Sequence, residues 1–245
     1  MSRVVVITGA GGSLGAALSH RFAGEPDTAV VLSDISEESL AATMAGLPEW
    51  RGAVETVLAD VSDDEAVDAV VATAVAKFGR LDVLISNAGV LSPNGRIHNL
   101  ATADWERAFR VNLLGAVNGI KAAVGVMRPQ RSGSIVLTAS VSGLTAWSHA
   151  APYCATKAAV IQLAKVAAVE YARDGIRVNC VCPGTFRSAI HDELPAAALD
   201  SIASRHPLGL GAATDLVGAY SYLASEAAQW TTGSALVVDG GYSAP

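Results

Sequence analysis

The sequence predicts one α/β domain over residues 1–245: a doubly wound, Rossmann-type sheet of seven parallel strands with helices on both faces. Three observations carry this. Short β-branched runs alternate with Ala-rich stretches of helical periodicity from end to end, the pattern of successive βαβ units. The chain is 51% apolar with 5% aromatics and 23 glycines, which suits a buried sheet covered by small-residue helices. No Pro/Ser/Gly-rich linker and no internal repeat divides it.

In chain order, Val4–Thr8 is a continuous apolar run and the first strand, and Ser13–Ala23 is the first helix. Ala29–Ser33 and Glu55–Ala59 follow as strands around the helix Glu37–Ala45. The acidic start Asp63-Asp64-Glu65 opens a helix to Phe78, since carboxylates favour the positive end of the helix dipole. After the strand Val83–Ser86, Thr102-Ala103-Asp104 is a similar start for one long helix, Ala103–Met127. Ser134–Thr138, the helix Tyr153–Arg173 and the strand Arg177–Val181 continue the alternation, and Asp215–Ser225 and Ala235–Val238 close it. The stretch from Pro183 to about Leu210 is read as irregular. Long loops at the carboxyl edge of such a sheet usually carry function, so residues around 185–210 are expected to form a substrate lid.

Composition excludes several classes. Net charge is −6 with a pI near 5.3 and no Lys/Arg cluster, which argues against nucleic-acid binding. Cys154, Cys180 and Cys182 are too few for a disulfide framework and predict a reducing compartment. Cys180 and Cys182 share one strand face without a second ligand pair, so no metal site is expected. Met1-Ser2-Arg3 leads straight into the first strand, leaving no room for a signal peptide, and no apolar run reaches bilayer length. The expectation is a soluble, cytoplasmic protein without a membrane partner.

Thr8-Gly9-Ala10-Gly11-Gly12-Ser13-Leu14-Gly15 joins strand to helix. Glycines let the backbone approach a pyrophosphate, and the helix N-terminus offers free N–H groups and a positive dipole end. Asp34 ends the second strand nineteen residues after Gly15, where a carboxylate accepts hydrogen bonds from both adenosine ribose hydroxyls and repels a 2′-phosphate. No Arg or Lys stands in the loop or just after Asp34, so the predicted cofactor is NAD rather than NADP. Asp34 also reads as a helix N-cap ahead of Ile35-Ser36-Glu37-Glu38.

Tyr153 and Lys157 lie four residues apart on one helical stretch, thirteen residues after Ser140. Residues i and i+4 share a helix face, so the Lys157 ammonium is expected to favour the Tyr153 phenolate. Such a Tyr passes a proton to or from an alcohol oxygen.

With these residues in place, the chain resembles the short-chain dehydrogenase/reductase family over essentially its full length. The family's Thr-Gly-x-x-x-Gly-x-Gly loop aligns with Thr8, Gly9, position 13 and Gly15, and its adenine-flanking acidic-hydrophobic pair with Asp60-Val61. Asn87-Ala88-Gly89, Pro183-Gly184 and Val238-Asp239-Gly240-Gly241 also match, as does an active-site tetrad of Asn112, Ser140, Tyr153 and Lys157. Two departures stand out: Ser13 replaces the middle glycine, and Ser188 stands where the family has Thr. The resemblance implies a cofactor-binding set of Gly9, Gly11, Ser13, Leu14, Gly15, Asp34, Ile35, Asp60, Val61, Asn87, Ala88, Gly89, Tyr153, Lys157, Pro183, Gly184, Phe186 and Ser188.

It further implies reversible hydride transfer between a secondary alcohol and the nicotinamide, with Tyr153 as acid/base. Ser140 would orient the substrate oxygen, Lys157 would lower the Tyr153 pKa and hold the nicotinamide ribose, and Asn112 would anchor a water continuing the proton path. Ser140 as a turn cap and Asn112 as a polar mid-helix residue bonded to a backbone carbonyl remain the plainer alternatives. Substrate candidates are Ser142, Trp147, His149, Phe186 and His191, with Leu91, Pro93, Asn94 and Leu144 nearby; His149 is placed at the pocket mouth. This set is mostly apolar, with Arg187 as its only cation, and points to a small or medium uncharged alcohol, diol or ketone, with an alicyclic one in view. Family helices corresponding to Ala103–Met127 and Tyr153–Arg173 pair into a homotetramer. The competing readings are a catalytically silent dinucleotide-binding regulatory or scaffold protein of the same fold, and a 3-oxoacyl-thioester reductase.

Overall fold

The structure, a computed structural model, describes residues 3–49, 52–188 and 196–244. Seven strands run parallel in one sheet: β1 (Arg3–Thr8), β2 (Thr28–Asp34), β3 (Val54–Leu58), β4 (Val83–Ser86), β5 (Gly133–Thr138), β6 (Ile176–Pro183) and β7 (Ala235–Val238). Their spatial order is β3-β2-β1-β4-β5-β6-β7. The winding therefore reverses between β1 and β4, and ligands of such sheets bind in the crevice at that switch point.

Side chains alternate across a strand, so each strand feeds two layers. Val4 and Val6 of β1 join Leu84, Ile135 and Leu137 under helices α3 (Asp64–Phe78), α5 (Gly115–Gln130) and α6 (Ala151–Tyr171). Val5 and Ile7 join Ile85, Val136 and Val181 under α1 (Ser13–Ala23) and the penultimate helix Ala213–Ala224, where Leu18, Phe22 and Tyr220 are fully buried. Burying both faces explains why the strands read as continuous apolar runs rather than alternating ones.

Helix ends follow the sequence signals. Asp63 caps α3 by accepting from the N–H groups of Glu65 and Ala66, and Gly79 ends it in the left-handed region. Ser36 caps α2 (Glu37–Ala45), accepting from the Ser39 N–H at 3.2 Å.

Two elements differ from expectation. The single helix Ala103–Met127 is instead α4 (Thr102–Ala108), a π-helical segment Phe109–Leu114, and α5, which runs on to Gln130. In the π segment the Gly115 N–H bonds the Arg110 carbonyl, five residues back. Second, the stretch read as irregular holds a helix, α7 (Ala196–Ala203), before α8 (Ala213–Ala224). Residues 189–195 of the expected lid lie outside the described residues. Among the described residues, no helix is long and apolar enough to cross a membrane.

Candidate active site

The carboxyl ends of β1, β2, β4, β5 and β6 open on one cavity of about 1450 Å³. Its floor begins with the glycine turn after β1. Gly9 sits at φ 65°, a backbone angle that disfavours a side chain, and a Cβ there would stand 2.7 Å from the Ala88 Cα. At Gly15 a Cβ would overlap the Gly9 carbonyl oxygen. Gly12 begins α1 without a side-chain cap, so the first-turn N–H groups and the positive dipole end are left for another acceptor.

Asp34 is built into this turn. Its carboxylate accepts from the Gly11 N–H at 2.9 Å and the Ser36 N–H at 3.0 Å. Helix capping falls to Ser36, so the alternative role for Asp34 is not the one it takes. Ile35 beside it is 67% exposed, and across the cavity Asp60 accepts from the Ser62 N–H at 2.8 Å. Asn87 bonds the carbonyls of Thr8 and Gly9, tying β4 to the loop.

On the other side stand Ser140, Tyr153 and Lys157. Ser140 follows β5 and accepts from the Ser142 N–H at 3.1 Å, capping the single turn Val141–Gly143, and its hydroxyl pulls the Tyr153 pKa down. Tyr153 lies in the first turn of α6. Burial raises its pKa and the Ser140 hydroxyl opposes this, with burial the larger effect. The expected depression by Lys157 is therefore absent from the balance. Lys157 is 3% exposed, and its Nζ donates to the Thr138 carbonyl at 2.7 Å while standing 5.7 Å from the Tyr153 ring centroid. Burial lowers the Lys157 pKa to about 8, against a weaker upward pull from Cys182 and Cys180.

Asn112 stands behind this wall, 3% exposed, in the π segment. Its Oδ1 accepts from the Val90 N–H at 2.7 Å, and its Nδ2 donates to the Val90 carbonyl at 2.9 Å and the Thr156 hydroxyl at 3.1 Å. The plainer reading of Asn112 thus describes its side chain, which fixes the segment following Gly89 against α6.

Every residue of the expected cofactor-binding set lines the cavity, as do Ser142, Trp147 and Phe186. Trp147 packs edge-to-face on Tyr153, ring centroids 6.0 Å apart at 88°. His149 is not brought to the cavity: it is exposed, at φ 69°, with Nδ1 2.8 Å from the Ser148 hydroxyl. Its carbonyl accepts from the Gly95 N–H at 3.0 Å. His191 lies outside the described residues. Arg187 is not a lining residue, whereas Arg107, Arg110 and Arg205 are.

Sequence reasoning also missed His206, buried at the foot of the cavity. Its Nε2 accepts from the Thr185 N–H at 3.1 Å, so the proton sits on Nδ1, 3.0 Å from the Ile202 carbonyl. Its ring stacks on Tyr242. No local signal marks this residue, because its partners are supplied by the return of the chain after α7.

A family model described as Enoyl-(Acyl carrier protein) reductase matches residues 9–243. The chain belongs to the short-chain dehydrogenase/reductase family. It is 38% identical over 243 residues to the cis-4-hydroxycyclohexanecarboxylate dehydrogenase of Sinomonas cyclohexanicum, covering 99% of this chain and 97% of that one. Its structure is similar to that of levodione reductase, with a TM-score of 0.95 and 33% identity over 99% and 98% of the two chains. Short-chain dehydrogenase/reductase neighbours hold either nicotinamide dinucleotide. ElxO, with NADP bound, aligns at TM-score 0.92 and 32% identity, covering 100% of both chains. NAD+-bound xylitol dehydrogenase aligns at 0.89 and 28%, covering 98% of both.

Proposed function

We propose that the chain is an NAD-dependent dehydrogenase/reductase of a small or medium, mostly uncharged secondary alcohol or ketone, with an alicyclic ring the favoured substrate. The observation that carries this is that Ser140, Tyr153 and the buried Lys157 stand together at the wall of the cavity that the glycine turn floors. The residues fit a dinucleotide: a turn with no room for side chains at Gly9 and Gly15, an uncapped helix N-terminus, and a carboxylate at Asp34. Asp34 favours NAD by accepting from ribose hydroxyls and repelling a 2′-phosphate. Ser13, at the first position of α1, offers a hydroxyl where the family has glycine. Asp60 and Val61 would flank the adenine opposite Ile35, and Ser188 would meet the carboxamide.

NAD, when bound, supplies the carbon that takes or gives the hydride. The remaining chemistry belongs to this chain. Tyr153 gives its proton to the carbonyl oxygen in reduction and takes one from the alcohol in oxidation. Ser140 holds the same oxygen and stabilises the charge that develops there. Lys157, its pKa lowered by burial to about 8, holds the cofactor ribose beside Tyr153; Asn112 sets the packing behind it. Because burial keeps the Tyr153 phenol protonated at neutral pH, the resting site is ready to donate a proton.

Trp147, Leu91 and Phe186 give the substrate end aromatic and aliphatic walls. The relatives named for ring substrates, cis-4-hydroxycyclohexanecarboxylate and levodione, support a ring at this position. Assembly as a homotetramer in the cytoplasm completes the proposal: Val169 is 81% exposed on α6, Phe109 and Leu114 are exposed on the neighbouring π segment, and the three cysteines are free. A panel of cyclic and acyclic secondary alcohols with NAD, read at the NADH absorbance, tests the function. A protein that binds NAD but turns over none of them is the silent dinucleotide-binding regulatory or scaffold protein instead.

A further inference from the structure

Two backbone carbonyls set the direction of a hydrogen-bond chain beneath the glycine turn. The Asn87 Nδ2 lies 3.2 Å from the Thr8 carbonyl oxygen and 3.1 Å from that of Gly9. Carbonyls only accept, so the amide nitrogen must face them and Oδ1 must face away. Oδ1 then meets the Thr138 hydroxyl at 3.2 Å. An amide oxygen also only accepts, so Thr138 gives its single proton there. What remains for the Tyr220 hydroxyl, 2.8 Å from the same Thr138 oxygen, is a lone pair. Tyr220 is the donor. It is fully buried in α8, and burial holds its phenol well above the ordinary tyrosine range, so it stays protonated throughout the neutral and mildly alkaline range.

Thr138 ends β5 and is the junction of the site. Its carbonyl accepts from Lys157 and its hydroxyl links Tyr220 to Asn87. The far end of the chain is the loop itself: the Gly9 carbonyl accepts from Asn87 and from the Gly12 N–H at 3.3 Å. A tyrosine buried for packing alone needs any acceptor within reach. This one donates into a path that ends on the phosphate-facing turn and shares its central residue with Lys157.

We propose that Tyr220 is a positioning residue for the dinucleotide: by donating to Thr138 it aims the Thr138 hydroxyl at Asn87, and Asn87 in turn fixes the carbonyls of Thr8 and Gly9. Tyr220 touches neither cofactor nor substrate, and the proposal rests on the NAD-binding function above.

The test is Tyr220→Phe, which removes the hydroxyl and keeps the ring. The NADH dissociation constant, from fluorescence titration, rises about threefold to tenfold, the range one buried hydrogen bond spans. The KM for NAD rises by a similar factor, and kcat falls less than KM rises. Thr138→Val causes at least the same loss, Thr138→Ser restores tight binding, and the double variant Tyr220→Phe/Thr138→Val binds no more weakly than Thr138→Val alone. An unchanged NADH affinity in Tyr220→Phe overturns the proposal, and so do additive losses in the double variant. If Tyr220→Phe does not fold, equal binding by Thr138→Val and Thr138→Ser overturns it. A wild type that binds neither NADH nor NADPH overturns the functional proposal as well, which separates the two failures.

Discussion

Replacing Lys157 by methionine should make the cofactor-free protein more stable and inactive. Holding a cation in the wall of α6 is costly: burial lowers its pKa from 10.5 to about 8, which corresponds to roughly 3 kcal/mol at 1.36 kcal/mol per pKa unit. Lys157→Met removes the charge while keeping the unbranched shape, and leaves the Thr138 carbonyl without its donor, at about 1–2 kcal/mol. The net gain is about 1–2 kcal/mol at pH 7, which raises the melting temperature by about 2–8 °C in a chain of this size. The pH dependence gives a sharper signature. Between about 8 and 10.5 the unfolded lysine holds a proton that the folded one has lost, so wild-type stability rises with pH across that window; below it both are protonated and the penalty is fully present. The variant lacks this rise. Tyr220, whose pKa burial raises without a contribution from Lys157, cancels in the difference, and Cys180→Ala/Cys182→Ala backgrounds remove the thiols that Lys157 does act on. Urea unfolding at equal protein concentration from pH 6.5 to 10, on wild type and variant, measures it. A variant less stable at pH 7, or a wild-type-minus-variant difference that is flat between pH 8 and 10, refutes the reasoning.

Tyr153→Phe should abolish turnover and leave NADH binding nearly intact; turnover above a few per cent of wild type, about what a second base supplies, contradicts the assignment. In the wild type, alcohol oxidation should quicken as pH rises above neutral and carbonyl reduction should not, since burial holds the Tyr153 proton; pH–rate profiles in both directions check this. Asp34→Ala should narrow the preference for NAD over NADP in kcat/KM, mainly by weakening NAD, and equal use of both cofactors by the wild type counts against the NAD assignment. Trp147→Ala should lower kcat/KM for cyclic alcohols about tenfold or more relative to acyclic ones, by removing the wall beside Tyr153; parallel losses on both classes argue against a ring-binding role.

The order of strands and helices was legible because a sheet buried on both faces writes itself as β-branched runs, as in Val4–Ile7 and Ala29–Leu32, and because small-residue helices separate them. The glycine turn and Asp34 were legible for a related reason: each demands a residue type that few alternatives satisfy. Ser140, Tyr153 and Lys157 stand together at the cavity wall, yet their spacing alone would not have distinguished them from a surface pair. The π segment left no mark, since a hydrogen bond slipped by one residue changes no composition. The helix Ala196–Ala203 does carry a sequence signal, an Ala-rich run behind Pro195. Arg107, Arg110, Arg205 and His206 reach the cavity only through tertiary placement, and Lys157 turns to Thr138 because a carbonyl at the end of β5 lies within its reach.

The π segment also makes this part of the chain sensitive to length rather than to chemistry. Such a segment is an α-helix carrying one extra residue, so any single deletion between Phe109 and Leu114 that restored regular α-helix would turn everything upstream by about 100° and draw it in by about 1.5 Å. Ile120, Ala123 and Met127 downstream are locked into the core, so the displacement must fall on α4. Ala103, Glu106 and Arg107 would swing off the cavity, and Asn112, if it moved with them, would lose both bonds to Val90. Conservative exchanges of exposed residues in this stretch leave that phase untouched. Frame-preserving loss of one codon does not.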